Sequence, residues 1–209
     1  MFKSVCLPQA LDFWFKQLNI NYQTNTPTVK VVGKTILNDV VKLVLKPSKA
    51  FGEFVAGQHI RLKVEIDGIG EERCYSIANL PNSKGLVELF VKTQGKVSNA
   101  IKQTLKVGTV LDVSRPFGQN HKEKFDAYIA GGIGITAMWP LFKARNSETA
   151  TLLYLTRNGE EESSAPLLNE ILTSKFYKNG QVKILDGRTF LSTLNNVKQF
   201  FTDKNNAIS

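Results

Sequence analysis

Residues 125–136 read FDAYIAGGIGIT, and this stretch decides how the rest of the chain is interpreted. The compact apolar run 125–130 is typical of a buried strand, and the glycines behind it allow the chain to turn sharply. The residues that follow predict a helix over about 135–145. A strand that leads into a helix through a glycine loop is the first unit of a parallel α/β sheet.

The sequence after this loop continues the same alternation. A second strand is predicted at 150–156, a second helix at about 164–175 and a third strand at 181–185, followed by a weakly helical tail. The order β-α-β-α-β predicts a parallel, doubly wound sheet.

The sequence before the loop has an apolar period of two, which is the period of strands. Candidate strands are 28–37, 39–46, 58–66, 72–79, 86–92 and 109–114. Short strands with closely spaced turn signals predict an antiparallel, six-stranded barrel, with one helix at about 97–105. With a domain boundary near 118–124, the chain divides into an N-terminal helical extension (1–26), a barrel domain (27–121) and an α/β domain (122–209).

The N-terminal residues 8–19 form an amphipathic pattern. Leu11, Trp14, Phe15 and Leu18 recur at helical spacing and make one apolar stripe. Two interpretations stay open: the helix packs on its own protein, or it is a docking surface for a membrane or a partner protein.

Composition excludes several classes of protein. The two cysteines and two histidines make no metal spacing, so no metal site is predicted, and no apolar run is long enough for a membrane span. The net charge of +9 comes from lysines spread along the chain, so nucleic-acid binding is not expected. Anionic cofactors and an acidic redox partner explain this charge. A cytoplasmic location is expected, with membrane association through the N-terminal helix as an option.

Two glycine segments stand at the start of predicted helices. The backbone N–H groups of 131–136 can approach a pyrophosphate at a helix N-terminus, and those of 95–98 (GKVS) make a second anion site with Ser98 near the N-cap. The alternatives are a tight turn without a ligand at the first segment and a plain capped helix at the second.

The segment RCYS, residues 73–76, lies on a predicted strand. Arg73 and Tyr75 share a face, which offers an aromatic ring to a flavin and a guanidinium to its phosphate. Ser76 falls on the opposite face and reaches a flavin only at a strand end or a bulge. The alternative is an ordinary strand with an exposed arginine and a half-buried tyrosine.

Four motifs together identify a family resemblance. RCYS (73–76), VKTQGKVSNAI (91–101), RPFG (115–118) and YIAGGIGIT (128–136) occur in this order, which resembles the ferredoxin–NADP reductase superfamily. The N-terminal DFWFKQLN and the strand GQHIRLKVEIDG are similar to the reductases that partner oxygenases and fatty acyl desaturases. The resemblance extends from about residue 10 to about residue 195.

The resemblance implies roles for particular residues. Arg73 would bind the flavin pyrophosphate, while Tyr75, Ser76 and Thr136 would stand at the reacting rings as the catalytic positions. It implies FAD rather than FMN, and NADPH or NADH. Since Arg157 and Arg188 are candidates for a 2′-phosphate, NADPH is favoured, unless both are ordinary surface arginines. The full set of implied cofactor-binding residues is Arg73, Tyr75, Ser76, Val91, Gly95, Lys96, Val97, Ser98, Gly131, Gly132, Gly134, Thr136, Arg157 and Arg188.

The implied activity is that of an FAD-dependent oxidoreductase. Hydride would pass from NAD(P)H to the flavin, and electrons would then pass to an iron–sulfur protein of ferredoxin type or to an oxygenase or desaturase component. The chain departs from the family pattern at Ala137, where proline is usual, and it ends at Ser209 without the family's further strand or a ferredoxin domain. The expectation is therefore a C-terminally shortened α/β domain. The alternative function is a non-catalytic flavin-binding remnant or interaction module.

Overall fold

A computed structural model describes residues 26–118, 125–156 and 167–186, together with 13–15, 17, 18, 20, 195, 199 and 202. The chain divides into two compact units, Met1–Asn120 and His121–Ser209.

The first unit contains six antiparallel strands, as predicted. They are β1 (Thr28–Leu37), β2 (Val40–Pro47), β3 (His59–Ile66), β4 (Ile69–Ser76), β5 (Val87–Lys92) and β6 (Val110–Asp112). They form a four-stranded sheet in the order β5-β2-β1-β6 and a two-stranded sheet β3-β4. The two sheets are connected by isolated bridges between β3 and the residues that follow β6 in the chain. These bridges are His59–Phe117 and Leu62–Val113.

The alternation of side chains explains the core of this unit. Alternate residues of β2 and β3 point inward together with Val29 and Val31 of β1, and helix α1 (Lys96–Gln103) adds two apolar side chains to the same cluster. The fully buried members include Val29, Val31, Val41, Leu43, Leu45, Ile60, Leu62 and Ile101.

Strand β4 begins and ends three residues earlier than the predicted 72–79. Asp67 and Gly68 both have positive φ values, 54° and 77°. A two-residue turn of this kind matches the twist of a hairpin, so β4 resumes pairing at Ile69.

The second unit contains a parallel three-stranded sheet in the order β7-β8-β9, as predicted. Its elements are β7 (Ala127–Gly131), a short 3-10 turn (Gly132–Gly134), α2 (Ile135–Arg145), β8 (Thr151–Thr156), α3 (Leu168–Thr173), α4 (Lys175–Lys178) and β9 (Val182–Asp186). The rings of Trp139, Phe142 and Phe176 pack together between the helices.

In its described part, the predicted helix over about 164–175 is present as α3, which ends at Thr173. The short helix α4 follows it, because Ser174 is extended (φ −70°, ψ 153°) and its hydroxyl accepts the N–H of Tyr177. Ser174 is thus the N-cap of α4, which interrupts a continuous helix.

Much of the predicted helix 8–19 lies outside the described residues. Residues 13–15 and 17 are helical, and the side chains of Phe13, Trp14 and Leu18 are exposed by 56%, 61% and 66%. The contact of this stripe with a membrane or a partner therefore stays a prediction. None of the helices in the described part of the chain is long and apolar enough to cross a membrane.

Candidate functional site

Arg73 and Tyr75 share the core-facing side of β4. Arg73 is the cross-strand partner of Leu62, and Tyr75 is the partner of Ile60. Directly paired residues in an antiparallel sheet point to the same face, and both partners belong to the core. The Tyr75 ring is partly buried against that core, whereas Arg73 is exposed.

The Arg73 guanidinium has two close acceptors on its own strand. Its Nη1 donates to the backbone oxygen of Glu72 at 2.7 Å and lies 3.3 Å from Oε2 of Glu71. An exposed ion pair of this kind contributes little to stability, so an incoming phosphate can replace it at low cost. Glu71 is a site residue that the sequence reasoning missed, although its position two residues before Arg73 puts it on the same face.

The charge of Arg73 also acts on Tyr75. Burial raises the pKa of the Tyr75 phenol, and the nearby guanidinium lowers it in part. The phenol is therefore neutral at physiological pH, as an aromatic stacking surface requires.

Ser76 is the last residue of β4 and lies opposite His59. A strand end is thus present at the position where one is needed for Ser76 to reach a flavin. Its contact with the flavin stays a prediction.

Ser98 lies near the N-cap of α1, as predicted: the N-cap is Gly95, and Ser98 is the third residue of the helix. The Ser98 hydroxyl accepts the N–H groups of Gln94 and Gly95, each at 3.0 Å, and it donates to the backbone oxygen of Gly95. These bonds hold the turn in shape and occupy the hydroxyl. The contact of Ser98 with a flavin phosphate stays a prediction.

Two further residues of the predicted site are part of the core. Val91 and Val97 are exposed by 0% and 3%. Their side chains pack inward, so any contact with a cofactor would come from their backbone atoms.

The start of α1 is open to a ligand. A Cβ atom added at Gly95 would meet no atom within 4 Å. The first N–H groups of a helix have no acceptor within the helix, and they carry its partial positive charge. Lys96 is exposed, and its Nζ lies 3.8 Å from Oδ2 of Asp67. This ion pair is too exposed to fix the lysine side chain in one position.

The glycine loop between β7 and α2 is open in the same way. Added Cβ atoms at Gly131, Gly132 and Gly134 would meet nothing within 4 Å, and Gly132 has a φ of +50°. A ligand can therefore approach the backbone of this loop closely. Thr136 is buried, and its Oγ1 donates to the backbone oxygen of Ile133 at 2.9 Å. Its hydroxyl is thus used within the loop, and its contact with a nicotinamide stays a prediction.

Arg157 and Arg188 lie outside the described residues, so the choice between NADPH and NADH stays a prediction. The described part of the chain contains no group of three His, Cys, Asp or Glu side chains that could hold a metal ion.

Comparisons with known proteins agree with this geometry. Residues 29–121 match the family model of the oxidoreductase FAD-binding domain. The phenol hydroxylase P5 protein of Acinetobacter pittii (strain PHEA-2) is 32% identical over 137 residues, which cover 61% of this chain and 38% of that protein. The reductase component DmpP of phenol 2-monooxygenase from Pseudomonas sp. (strain CF600) is 31% identical over 128 residues, 56% of this chain and 36% of that one. The chain thus spans little more than a third of these relatives.

A solved structure extends the likeness to both units. Phthalate dioxygenase reductase, described as a modular structure for electron transfer from pyridine nucleotides to [2Fe-2S], aligns with a TM-score of 0.64 and 23% identity. The alignment covers 78% of this chain and 54% of that one, and at this identity it shows the fold. The matched family model supports FAD as a cofactor. Residues 29–121 thus match the oxidoreductase FAD-binding domain family, and the chain shares its fold with phthalate dioxygenase reductase.

Proposed function

We propose that this protein is an NAD(P)H-dependent flavoprotein reductase that delivers electrons to an iron–sulfur protein or to an oxygenase or desaturase component. One observation carries the proposal. Within the matched FAD-binding domain, an exposed guanidinium, a neutral half-buried tyrosine and an open helix N-terminus belong to one compact unit, in which α1 packs against β3 and β4.

The residues of the first unit would hold FAD by its pyrophosphate and by its ring. Arg73 and the first N–H groups of α1 offer two separate anchors for the diphosphate, which is the reason to favour FAD over FMN. Lys96 adds a mobile positive charge. The Tyr75 ring would lie against the isoalloxazine, with Ser76 near N5. When bound, FAD supplies a hydride acceptor that can release electrons one at a time.

The second unit would hold the pyridine nucleotide at the start of α2. The open glycines Gly131, Gly132 and Gly134 leave room for a pyrophosphate against the backbone. Thr136 would act by fixing the loop through its bond to Ile133. Arg157 and Arg188 remain our candidates for a 2′-phosphate, so we propose NADPH over NADH.

The proposed electron acceptor is an acidic redox protein or oxygenase component. Two relatives are named as parts of phenol-hydroxylating systems. The net charge of +9 favours an acidic surface on that partner.

An anaerobic titration tests the proposal. The purified protein is loaded with FAD and titrated with NADPH and, separately, with NADH, while the absorbance of oxidised flavin is followed. We expect the absorbance to disappear at about one equivalent of either nucleotide, with faster reduction at a given concentration of NADPH than of NADH. Binding of FAD without its reduction would favour the non-catalytic flavin-binding module, and failure to bind FAD would contradict both.

A further inference from the structure

The β1–β2 hairpin bonds to Thr93, three residues before helix α1, and to the C-terminal end of the helix. Before the helix, Thr93 donates its N–H (2.7 Å) and its Oγ1 (2.8 Å) to the backbone oxygen of Asp39. At the other end, Lys34 Nζ donates to the backbone oxygens of Lys102 (2.8 Å) and Leu105 (2.6 Å). In return, Lys102 Nζ donates to the backbone oxygen of Asn38 at 2.7 Å. We call this set of bonds the hairpin clamp.

The Lys34 contact suits the end of a helix. The last carbonyl groups of a helix have no donor within it, and the helix dipole makes that end partly negative. One ammonium group here satisfies one such carbonyl, that of Lys102, and also the carbonyl of Leu105 just beyond the helix. Burial lowers the pKa of Lys34, which is consistent with an ammonium drawn partly out of water toward the helix.

The hairpin clamp restrains movement of α1 along its own axis, which the core contacts of the helix do only weakly. Val97 and Ile101 pack into the core and determine which face of the helix points inward. Apolar contacts are non-directional, so they resist movement along the helix axis only weakly. Directional bonds before and after the helix determine its position along that axis, and this position sets where its first N–H groups lie.

We propose that Lys34 is a positioning residue for flavin binding: it holds α1 at the axial position in which the helix N-terminus meets the flavin pyrophosphate. This inference rests on the proposed function, because it requires that FAD binds at the start of α1. Lys34 itself lies at the opposite end of the helix and contacts no part of that site.

The test compares a flavin that has phosphates with one that has none. FAD and riboflavin are titrated into the wild-type protein and the variants Lys34→Met, Lys34→Arg and Lys106→Met. Lys106 is an exposed lysine just beyond the same helix end, so its variant controls for the loss of one positive charge. The free energy of unfolding without flavin is measured for each protein.

We expect Lys34→Met to weaken FAD binding about tenfold, because charge-assisted hydrogen bonds to two carbonyls are lost. Riboflavin binding should change less than about twofold, because riboflavin has no phosphate to position. Arginine can also donate to both carbonyls, so Lys34→Arg should restore most of the FAD affinity. Lys106→Met should bind both flavins like the wild type.

Several outcomes would overturn the inference. Equal weakening of FAD and riboflavin would mean that Lys34 only stabilises the fold, and unchanged FAD affinity in Lys34→Met would refute positioning while leaving the proposed function intact. A wild-type protein that binds no FAD would contradict the proposed function itself. If Lys34→Met does not fold, Lys102→Met removes the other bond at that end, and the same selective loss is expected of it.

Discussion

Arg73 is the residue on which the flavin proposal depends most. Its guanidinium is exposed, its only close side-chain partner in the described part of the chain is the exposed carboxylate of Glu71, and it shares a face with Tyr75. Two parallel N–H donors match two phosphate oxygens, whereas the lysine ammonium is a point charge. Arg73 therefore contributes little to the stability of the fold, and its guanidinium is well suited to bind a phosphate.

Replacing Arg73 with lysine tests its contribution to FAD affinity separately from its contribution to stability. We expect Arg73→Lys to weaken FAD binding about tenfold through loss of the bidentate contact. The free energy of unfolding should change by less than about 0.5 kcal/mol, because the side chain is exposed. Flavin fluorescence titration and urea denaturation measure the two quantities.

Arg61→Lys is the matched control on the neighbouring strand. Arg61 pairs with Cys74, so it lies on the opposite face of the β3-β4 sheet from Arg73. Its variant should bind FAD like the wild type. Equal affinities of the wild type and Arg73→Lys would exclude a phosphate contact at Arg73.

At the scale of elements, the junction of β7, the glycine loop and α2 is built to leave its backbone accessible. The loop bonds are internal, with the Thr136 hydroxyl on Ile133 and the Ile135 N–H directed to the loop carbonyls. The outer side of the three glycines is open. The loop therefore keeps its shape without using the space that a nucleotide would need.

Gly132→Ala tests whether that space is used. An alanine at a φ of +50° should lower the free energy of unfolding by about 1 kcal/mol. Because its methyl group would project into the open space, we expect the concentration of NADPH that gives the half-maximal rate of FAD reduction to rise about tenfold. Anaerobic stopped-flow absorbance provides this measurement.

Gly180→Ala is a control with the same backbone requirement. Gly180 has a φ of +71° and open space around it, but it lies in the turn before β9. It should lose similar stability and keep the NADPH response of the wild type. If both variants lost stability equally and neither altered the response to NADPH, the glycine loop would not be a nucleotide site.

At the scale of the whole molecule, the net charge of +9 is the property that bears on the partner. Long-range attraction between a basic protein and an acidic one raises their rate of association, and salt screens it over about 10 Å at 0.1 M ionic strength. The net charge therefore predicts that association with an acidic partner slows as salt is added, and this prediction does not depend on any single residue.

We expect electron transfer from the NADPH-reduced protein to an acidic ferredoxin to slow about tenfold between about 0.05 and 0.5 M NaCl. Transfer to an uncharged quinone should change little, because no attraction between net charges assists that encounter. Stopped-flow absorbance at both salt concentrations measures the rates. A rate to the ferredoxin that is independent of salt would argue against an acidic partner.

The fold was largely accessible from the sequence, because strands and amphipathic helices have local periods. The bounds of β1 and α2 coincide with the prediction, and so does the parallel order of the second sheet. The error in β4 occurred where the tight turn at Asp67 and Gly68 moved the start of the strand. The predicted helix over about 164–175 is present as α3, and Ser174 separates it from the short helix α4.

The candidate site was accessible only in part, because a sequence does not show which polar groups already have partners. Ser98 and Thr136 carry hydroxyls suited to ligands, yet both hydroxyls bond to the backbone of their own loops. Val91 and Val97 lie in motif segments, yet their side chains belong to the core. The roles of Arg73, Tyr75, Ser76 and the open glycines stay predictions that the variants above can test.

The sequence by itself determined the order of the elements, the shared face of Arg73 and Tyr75, and the glycine loop ahead of α2. These are local properties, set by the period of a strand and by the conformational freedom of glycine. Only the tertiary structure decided which side chains are available to a ligand and what holds α1 in place. Lys34 and the carbonyl of Lys102 are 68 residues apart in the chain, and only the packing of the β1–β2 hairpin beside the helix brings them together.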